Sequence, residues 1–374
     1  MLPLAQRNLL HDKIRLAVTL TGVVFAVVLI AVELGLFFGF TQTTSSLIDH
    51  SGADLWVTAR HVPYLELGVS LNERKLYQVK AVPGVADAEK FINRGTRWNR
   101  LDDGQEQIYV VGFNPDAGMG GPWNVVQGSV ADLRTPDGVI VDEFYKKKLG
   151  VTSIGEVFEI NRHRARVVGF TNGIRSFTTQ PYVFTNVQHA QDFAALREDE
   201  TTYLLVRTEP GANLDEVRRN ILARVKDVDV LTRAEFSRRT QAYWTFTTGA
   251  GIAILLGAVL GLIVGFVVVA QTIYATTMDH LKEFGTLKAM GAPNSYVYKV
   301  ILTQAAIAAV IGYALGMVIS ISVVLYAQPA GAPILMNWWL AIGIFLVTLF
   351  MCPGAAVISI NKVTRLDPAM VFKG

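Results

Sequence analysis

The chain has 374 residues, of which 51% are hydrophobic and only 17% are charged, below the roughly 25% that is typical of a soluble domain. Its formal net charge of +3 is too small to indicate a nucleic-acid partner, and no aromatic-basic motif supports one. A single cysteine, Cys352, excludes an internal disulfide and argues against a cysteine-based metal site.

Two long stretches without any charged residue indicate that the chain crosses a membrane. No Asp, Glu, Lys or Arg occurs between Lys299 and Lys362, or from Thr240 to Met278. The hydrocarbon core of a bilayer requires such stretches, and about 20 apolar residues suffice to span it. We predict four transmembrane helices, at residues 16–40, 246–276, 297–326 and 335–360. A cleaved signal peptide is the alternative for the first, but its apolar run is long and lacks a clear A-x-A site.

Basic residues that flank these spans predict the side of the membrane on which each segment lies, because Lys and Arg accumulate on cytoplasmic loops. They occur before the first span, between the second and third, and after the fourth: Arg7, Lys13, Arg15, Lys282, Lys288, Lys299, Lys362, Arg365 and Lys373. The pattern predicts a multi-pass protein of the inner (plasma) membrane with both termini in the cytoplasm. Residues 1–15 and 361–374 would then be cytoplasmic, and residues 41–245 periplasmic.

The segment 41–245 alternates short apolar runs with turn signals, which predicts a folded domain and not a loop. The order strand, helix, strand occurs twice, at residues 54–59, 71–81 and 82–85, and again at 202–207, 214–225 and 228–231. Two such halves indicate a split ferredoxin-like unit, at about residues 50–100 and 200–235, with a mostly-β insertion at about 101–192. The predicted fold class is an α-helical membrane protein with four transmembrane helices and a large α+β extracytoplasmic domain.

Motifs of the common catalytic classes are absent from the sequence. It contains no G-x-x-x-x-G-K-[ST] phosphate loop, so the chain is not expected to hydrolyse ATP by itself, and it contains neither H-E-x-x-H nor G-x-S-x-G. The histidines are scattered without ligand spacing, at His11, His50, His61, His163, His189 and His280. We therefore expect no catalytic residue, metal ion or cofactor in this chain.

One carboxyl group and one row of glycines inside the spans are candidates for function. Glu33 is the only acidic residue within a span, and an intramembrane carboxyl group is by default a functional candidate. It lies roughly 25 Å along the first helix, near the outer interface, where water can also solvate it. Gly257, Gly261 and Gly265 recur every fourth residue and let another helix approach closely. Packing within the subunit and a dimer seam are both open interpretations of this row.

The most informative segment covers residues 279–293, D-H-L-K-E-F-G-T-L-K-A-M-G-A-P. It is typical of a short amphipathic helix that ends at Gly291 and Pro293, and Leu281, Phe284, Leu287 and Lys288 fall on neighbouring helical positions. A helix lying on the membrane surface could show the same pattern. The segment also resembles the cytoplasmic loop of MacB/FtsX/LolC-type ABC transporter permeases, which carries K-E-[FI]-G-x-[LM]-[KR]-A-[LM]-G-A.

Two further segments and the order of the spans are similar to the same family. Residues 4–15, L-A-Q-R-N-L-L-H-D-K-I-R, resemble its N-terminal amphipathic helix, and residues 363–372, V-T-R-L-D-P-A-M-V-F, resemble its closing L-D-P-A-x-x-[LF] tail. The family also places one span, a large outer domain and then three spans in this order. The unfused permease most resembles the DevC group, and it departs from MacB itself because no nucleotide-binding domain is fused to it.

The resemblance implies the permease subunit of an ATP-driven exporter, which transmits ATPase motion to a periplasmic domain. ATP and Mg would be bound by a separate ABC ATPase. The other implied partners are a second copy of the chain, a periplasmic adaptor protein, indirectly an outer-membrane channel, and membrane lipid. The residues implied in ATPase coupling are Arg7, Leu10, Leu281, Glu283, Phe284, Gly285, Leu287, Lys288, Met290 and Gly291. Alternatives are a lipoprotein-releasing or cell-wall-hydrolase-regulating permease of the same superfamily, and a membrane sensor without ATP coupling.

Overall fold

The computed structural model describes residues 13–279, 286, 290, 293–329 and 331–364. The chain divides into two compact units. The first, here called the membrane unit, consists of Met1–Gly39 and Ile252–Gly374, and the second, the outer unit, consists of Phe40–Gly251.

Four helices of the described chain are long and apolar enough to cross a membrane. They are α1 (Lys13–Asp49), α7 (Ala250–Asp279), α8 (Asn294–Ala327) and α9 (Trp338–Thr364). Pro353 lies inside α9, where it removes one backbone hydrogen bond from the helix. Small and branched residues of α1 form the buried centre of the membrane unit, including Val23, Ala26 and Val27.

Strands and short helices alternate through the outer unit. The strands are β1 (Leu55–Ala59), β2 (Leu71–Asn72), β3 (Val85–Asn99), β4 (Gln105–Phe113), β5 (Val125–Gln127), β6 (Gly138–Asp142), β7 (Val157–Ile160), β8 (His163–Thr171), β9 (Tyr182–Asn186), β10 (Glu200–Thr201), β11 (Tyr203–Thr208) and β12 (Val228–Thr232). The helices are α2 (Arg74–Lys80), α3 (Lys146–Leu149), α4 (Val187–Phe193), α5 (Leu214–Arg224) and α6 (Arg233–Ala242). A π-helical turn, Tyr243–Thr247, follows α6.

The first and last parts of the outer unit form a ferredoxin-like arrangement. The neighbouring strands are β12, β1, β11 and β3, all antiparallel, which is the spatial order fourth, first, third and second for two β-α-β halves. Asn213 caps the N-terminus of helix α5, and its side chain accepts hydrogen bonds from the amides of Asp215 and Glu216. Val217 and Ile221, one turn apart, are buried against this sheet.

The insertion continues the same sheet instead of forming a separate one. Strand β3 is 15 residues long, so it pairs with β11 at its start and with β4 and β7 further along. Beyond β4 the order is β9, β6, β8 and β5, with parallel pairs β4–β9 and β6–β8. The segment expected to be helical from residue 71 differs at its start, because Leu71 and Asn72 pair with β10 and the helix begins at Arg74.

Candidate functional site

The glycine row of α7 faces α1 of the same chain. A methyl group added at Gly265 would come within 2.6 Å of the Ala26 Cβ atom, and one at Gly261 within 3.0 Å of the Leu29 Cγ atom. Both distances are shorter than van der Waals contact, so the absence of side chains is what lets the two helices approach. The structure therefore places this row in helix packing within the chain, and a role in a dimer seam stays a prediction.

Glu33 lies opposite the first glycine of the same row. A Cβ atom at Gly257 would lie 2.9 Å from Glu33 Oε2 and 3.2 Å from its Cδ atom. The carboxyl group thus occupies the space that a side chain at position 257 would need, and it is partly exposed. The sequence singled out Glu33 and Gly257 separately, and the structure brings them together.

Glycines also bring two other segments onto α1. Gly316 of α8 lies against Val27, where an added Cβ atom would be 2.7 Å from Val27 Cγ1. The Leu335 amide, in the connection between α8 and α9, donates a 3.0 Å hydrogen bond to the carbonyl oxygen of Gly35. Phe38 packs edge-on against Trp339, with 4.7 Å between ring centroids. Helix α1 is therefore the element on which α7, α8, the α8–α9 connection and the start of α9 all pack.

One of the predicted ATPase-coupling residues lies in the described part of the chain. Met290 is 72% exposed, and its amide donates a 3.0 Å hydrogen bond to the Thr286 carbonyl oxygen, the helical i to i−4 pattern. The others lie outside the described residues: Arg7, Leu10, Leu281, Glu283, Phe284, Gly285, Leu287, Lys288 and Gly291.

A second carboxyl group, absent from the sequence-based candidates, is buried in the outer unit. Glu66 lies in a short 3-10 turn, Leu65–Leu67, and is only 7% exposed. The Tyr182 hydroxyl donates to its Oε1 atom, and the Trp244 indole N–H donates to its Oε2 atom, both at 3.3 Å. Both donors are neutral, and burial raises the pKa of Glu66 to about 7.

Aromatic rings surround this carboxyl group. Tyr64 stacks on Tyr243 with 4.2 Å between ring centroids and meets Trp244 edge-on at 5.2 Å. On another side, Phe177 lies 4.4 Å from Trp244. We call Tyr64, Glu66, Tyr182, Tyr243 and Trp244 the Glu66 cluster. It joins the 3-10 turn, strand β9 and the π-helical turn Tyr243–Thr247, which directly precedes α7 in the chain.

Tyr203 fixes the backbone that carries Glu66. Its hydroxyl donates a 2.7 Å hydrogen bond to the Leu65 carbonyl oxygen and accepts one from the Gly68 amide at 3.2 Å. Gly68 ends the 3-10 turn with a φ of 53°, a left-handed conformation that favours glycine. Both backbone anchors come from one buried tyrosine, so the position of Glu66 is set by β11 as well as by β9.

Comparison with protein families identifies both units. The model of the MacB-like periplasmic core domain matches residues 16–224, more than half of the chain. The model of the FtsX-like permease C-terminal domain matches residues 255–368.

Relatives and solved structures are similar along the same regions. Rv0072 of Mycobacterium tuberculosis (strain H37Rv), an uncharacterized ABC transporter permease, is 26% identical over 379 residues that cover 100% of both chains. MJ1507 of Methanocaldococcus jannaschii, described in the same words, is 20% identical over 59% of this chain and 58% of its own. The periplasmic region of MacB from Actinobacillus actinomycetemcomitans aligns with a TM-score of 0.38 and 11% identity, over 51% of this chain and 94% of that one. The extracellular domain of YknZ, a noncanonic ABC-type transporter from Gram-positive bacteria, aligns with a TM-score of 0.36 and 15% identity, over 48% of this chain and 98% of that one. The chain therefore belongs to the MacB/FtsX family of ABC transporter permeases.

Proposed function

We propose that this permease is the membrane subunit of an ATP-driven exporter and that it transmits motion from a cytoplasmic ATPase to the outer unit. Two copies of the chain would pair in the membrane with two ATPase subunits, which would bind ATP and Mg. The outer unit would then drive substrate into a periplasmic adaptor and an outer-membrane channel.

The observation that carries this proposal is a double connection between α1 and the chain segment of α7. In the membrane unit the two helices pack through the glycines of α7. In the outer unit, the Gln241 side chain, in the helix α6 that precedes the π-helical turn and α7, donates a 2.8 Å hydrogen bond to Ser45 Oγ of α1. A displacement of α7 relative to α1 would therefore strain contacts in both units.

Helix α1 supplies buried residues to both units, which supports a role in transmission. Val23 and Ala26 belong to the core of the membrane unit, and Leu47 and Ile48 belong to a core of the outer unit. These residues lie on one helix of 37 residues, Lys13–Asp49. A force applied near its cytoplasmic end would thus act on residues that are packed in each unit.

The pathway of the substrate is proposed to avoid the membrane helices. Neither α8 beyond Lys299 nor α9 before Lys362 carries a charged residue. A solute pathway through a membrane commonly has ionisable groups near its middle. Gln304, Asn361 and several hydroxyl groups are the main polar side chains that remain in these two helices, so the outer unit is the better candidate for handling the substrate.

Coupling to the ATPase is assigned to residues 283–291, with Phe284 and Leu287 as apolar anchors and with Glu283 and Lys288 setting orientation. Truncating a buried aromatic anchor typically costs about 2–4 kcal/mol, roughly 30- to 1000-fold in affinity. Phe284→Ala should therefore abolish co-purification of the ATPase and the stimulation of its turnover. Lys288→Ala, a change at a charged rim, should reduce affinity by less than about fivefold. Equal binding of the ATPase by the wild type, Phe284→Ala and Lys288→Ala would show that this segment does not couple the permease to the ATPase.

Double electron-electron resonance spectroscopy tests the transmission itself. In a Cys352→Ala background, a spin label at the exposed position Asp215 would report the distance between the outer units of two copies. We expect that distance to change when ATP is trapped with vanadate, and to stay constant when the ATPase is omitted. A constant distance during ATP turnover would favour a sensor without ATP coupling.

Topology is tested in the same cysteine-free background. A cysteine at Asp215 should react with a membrane-impermeant thiol reagent in intact spheroplasts, whereas one at Lys282 should react only after permeabilisation. Labelling of the Lys282→Cys variant from outside would contradict the proposed cytoplasmic position of the coupling segment.

A further inference from the structure

The Glu66 cluster places a carboxyl group between a buried β-strand and a chain segment that is partly exposed to solvent. Tyr182 is buried in β9, at 1% exposure, and stays with the sheet. Tyr243 and Trp244, in the π-helical turn, are partly exposed. The two hydrogen bonds of the carboxyl group, from Tyr182 and Trp244, therefore join a buried strand to a turn that solvent reaches. Single π-helical turns frequently occur at functional sites.

The charge state of Glu66 decides whether this contact between β9 and the π-helical turn is stable. A protonated carboxyl group can donate to the Tyr182 oxygen while its carbonyl oxygen accepts from Trp244, so both carboxyl oxygens are hydrogen-bonded. An ionised carboxylate accepts from both groups but brings an uncompensated charge among aromatic rings, where desolvation is costly. Movement of Trp244 away from the core would admit water to the carboxylate and relieve that cost.

The other titratable groups around Glu66 are tyrosines, and four of them hold their protons more firmly than a free tyrosine does. Burial raises the pKa of Tyr109 to about 12 and raises the pKa values of Tyr182 and Tyr203 above their usual range. Burial and the adjacent Tyr243 raise the pKa of Tyr64 as well. Arg175, the charged residue of the loop that carries Phe177, lies with its guanidinium 4.1 Å over the Phe144 ring. Glu66 is therefore the group of this cluster that changes charge near neutral pH.

We propose that the Glu66 cluster is a proton-controlled latch, which holds the π-helical turn Tyr243–Thr247 on the β core when Glu66 is protonated and releases it when Glu66 is ionised. The turn lies in the chain between α6 and α7. The latch therefore sets how tightly the outer unit binds the segment that continues into a membrane helix. Because the outer unit is extracytoplasmic, the latch would respond to the pH outside the cytoplasm.

Fluorine NMR on the full-length protein in detergent micelles tests the latch at Trp244. The protein is labelled with 5-fluorotryptophan, and the Trp244 resonance is assigned by its loss in Trp244→Phe. We expect this resonance to shift with a midpoint of about pH 7 in the wild type. Glu66→Gln should abolish the shift, because its amide mimics the protonated acid, with the carbonyl oxygen toward Trp244 and the NH₂ group toward the Tyr182 oxygen. Glu198→Gln, at an exposed carboxyl group, is the matched control and should titrate like the wild type.

A second variant and a second measurement keep the proposal testable if Glu66→Gln folds poorly. Tyr182→Phe removes a hydrogen bond from both forms of Glu66, but the bond to the carboxylate is the stronger one, so the midpoint should rise by up to about one pH unit. Amide hydrogen exchange, corrected for its intrinsic pH dependence, should become faster in residues 243–247 above that midpoint, while peptides from β9 stay protected. A Trp244 resonance that is constant from pH 5.5 to 8.5, or that still titrates in Glu66→Gln, would overturn the latch.

Discussion

The two units of this permease are packed in opposite ways: small residues bring helices together in the membrane unit, and large rings fill the core of the outer unit. In the membrane unit, α1 is approached closely because Gly261, Gly265 and Gly316 present no side chains. In the outer unit, large rings fill the core, and Trp56 alone lies within 5.7 Å of Phe91, Tyr203 and Phe236, measured between ring centroids. Lipid tails are as apolar as a protein core, so helix contacts in a membrane depend on close fit, whereas a domain in water is stabilised by the apolar area that it buries.

Two carboxyl groups at packed positions, Glu33 in the membrane unit and Glu66 in the outer unit, show the same contrast. Glu33 is accommodated by an empty space beside Gly257, and it remains partly exposed. Glu66 is accommodated by two hydrogen-bond donors among rings, and it is buried. The membrane unit should therefore be sensitive to added volume, and the outer unit to lost volume and to charge.

The largest expected effect is the removal of volume from the outer unit. Trp56→Ala leaves a cavity among three rings and should reduce the free energy of unfolding by about 3–5 kcal/mol. Tyr77→Ala, at a residue that is 63% exposed, is the matched control and should change stability by less than about 0.5 kcal/mol. Denaturant unfolding of the full chain in micelles measures both, and equal losses would contradict the core assignment.

The next largest effect is the change in the free energy of unfolding with pH that comes from ionisation of Glu66. The pKa of Glu66 is raised in the folded protein, so the folded state holds this proton more firmly than the unfolded state does. That contribution to stability is fully present below about pH 4.5 and is lost as the pH rises through about 7. Its full size corresponds to about 3 kcal/mol.

Glu66→Gln should remove this pH dependence, so its stability relative to the wild type should increase from pH 5 to pH 8. The difference between the two proteins cancels other titrating groups, which are common to both. Thermal unfolding at closely spaced pH values is sufficient to measure it. A stability difference that is flat across this range would mean that Glu66 is ionised in the folded protein at every pH tested.

Added volume should disturb the membrane unit. Gly265→Leu would force its side chain into Ala26, whose short side chain cannot move aside, and should cost about 1–3 kcal/mol. Gly343→Leu is the matched control, because a Cβ atom at Gly343 meets nothing within 4 Å. If Gly265→Leu leaves stability intact but weakens cross-linking between two copies, the row belongs to a dimer seam and not to packing within the chain.

The sequence predicted the number and order of the membrane helices and the ferredoxin-like arrangement, because uncharged stretches and repeated strand-helix-strand segments are local signals. Glu66 escaped prediction because its partners Tyr182 and Trp244 are 116 and 178 residues away in the chain. Its only local signal is an acidic residue between Leu65 and Leu67, which many turns share. The parallel pair β4–β9 was equally unpredictable, since it depends on contacts between distant strands.

The smallest expected effect concerns Gly257 and Glu33, which the sequence analysis singled out separately. Gly257→Ala has two opposing consequences. Alanine favours a helix over glycine by about 1 kcal/mol, but its methyl group would lie 2.9 Å from Glu33 Oε2 and would push the carboxyl group out of its space. In the wild type we therefore expect a net gain smaller than about 1 kcal/mol, because the carboxyl group at the end of its flexible side chain must shift.

Removing the Glu33 carboxyl group should reveal the full stabilisation that alanine gives at position 257. In a Glu33→Ala background, Gly257→Ala should stabilise the protein by about 1 kcal/mol, so the two substitutions should be non-additive by part of that amount. Gly343→Ala, measured in the same two backgrounds, should be additive because its surroundings are open. Additivity at Gly257 would show that Glu33 does not occupy this space, since an empty gap would accept the methyl group equally well in both backgrounds.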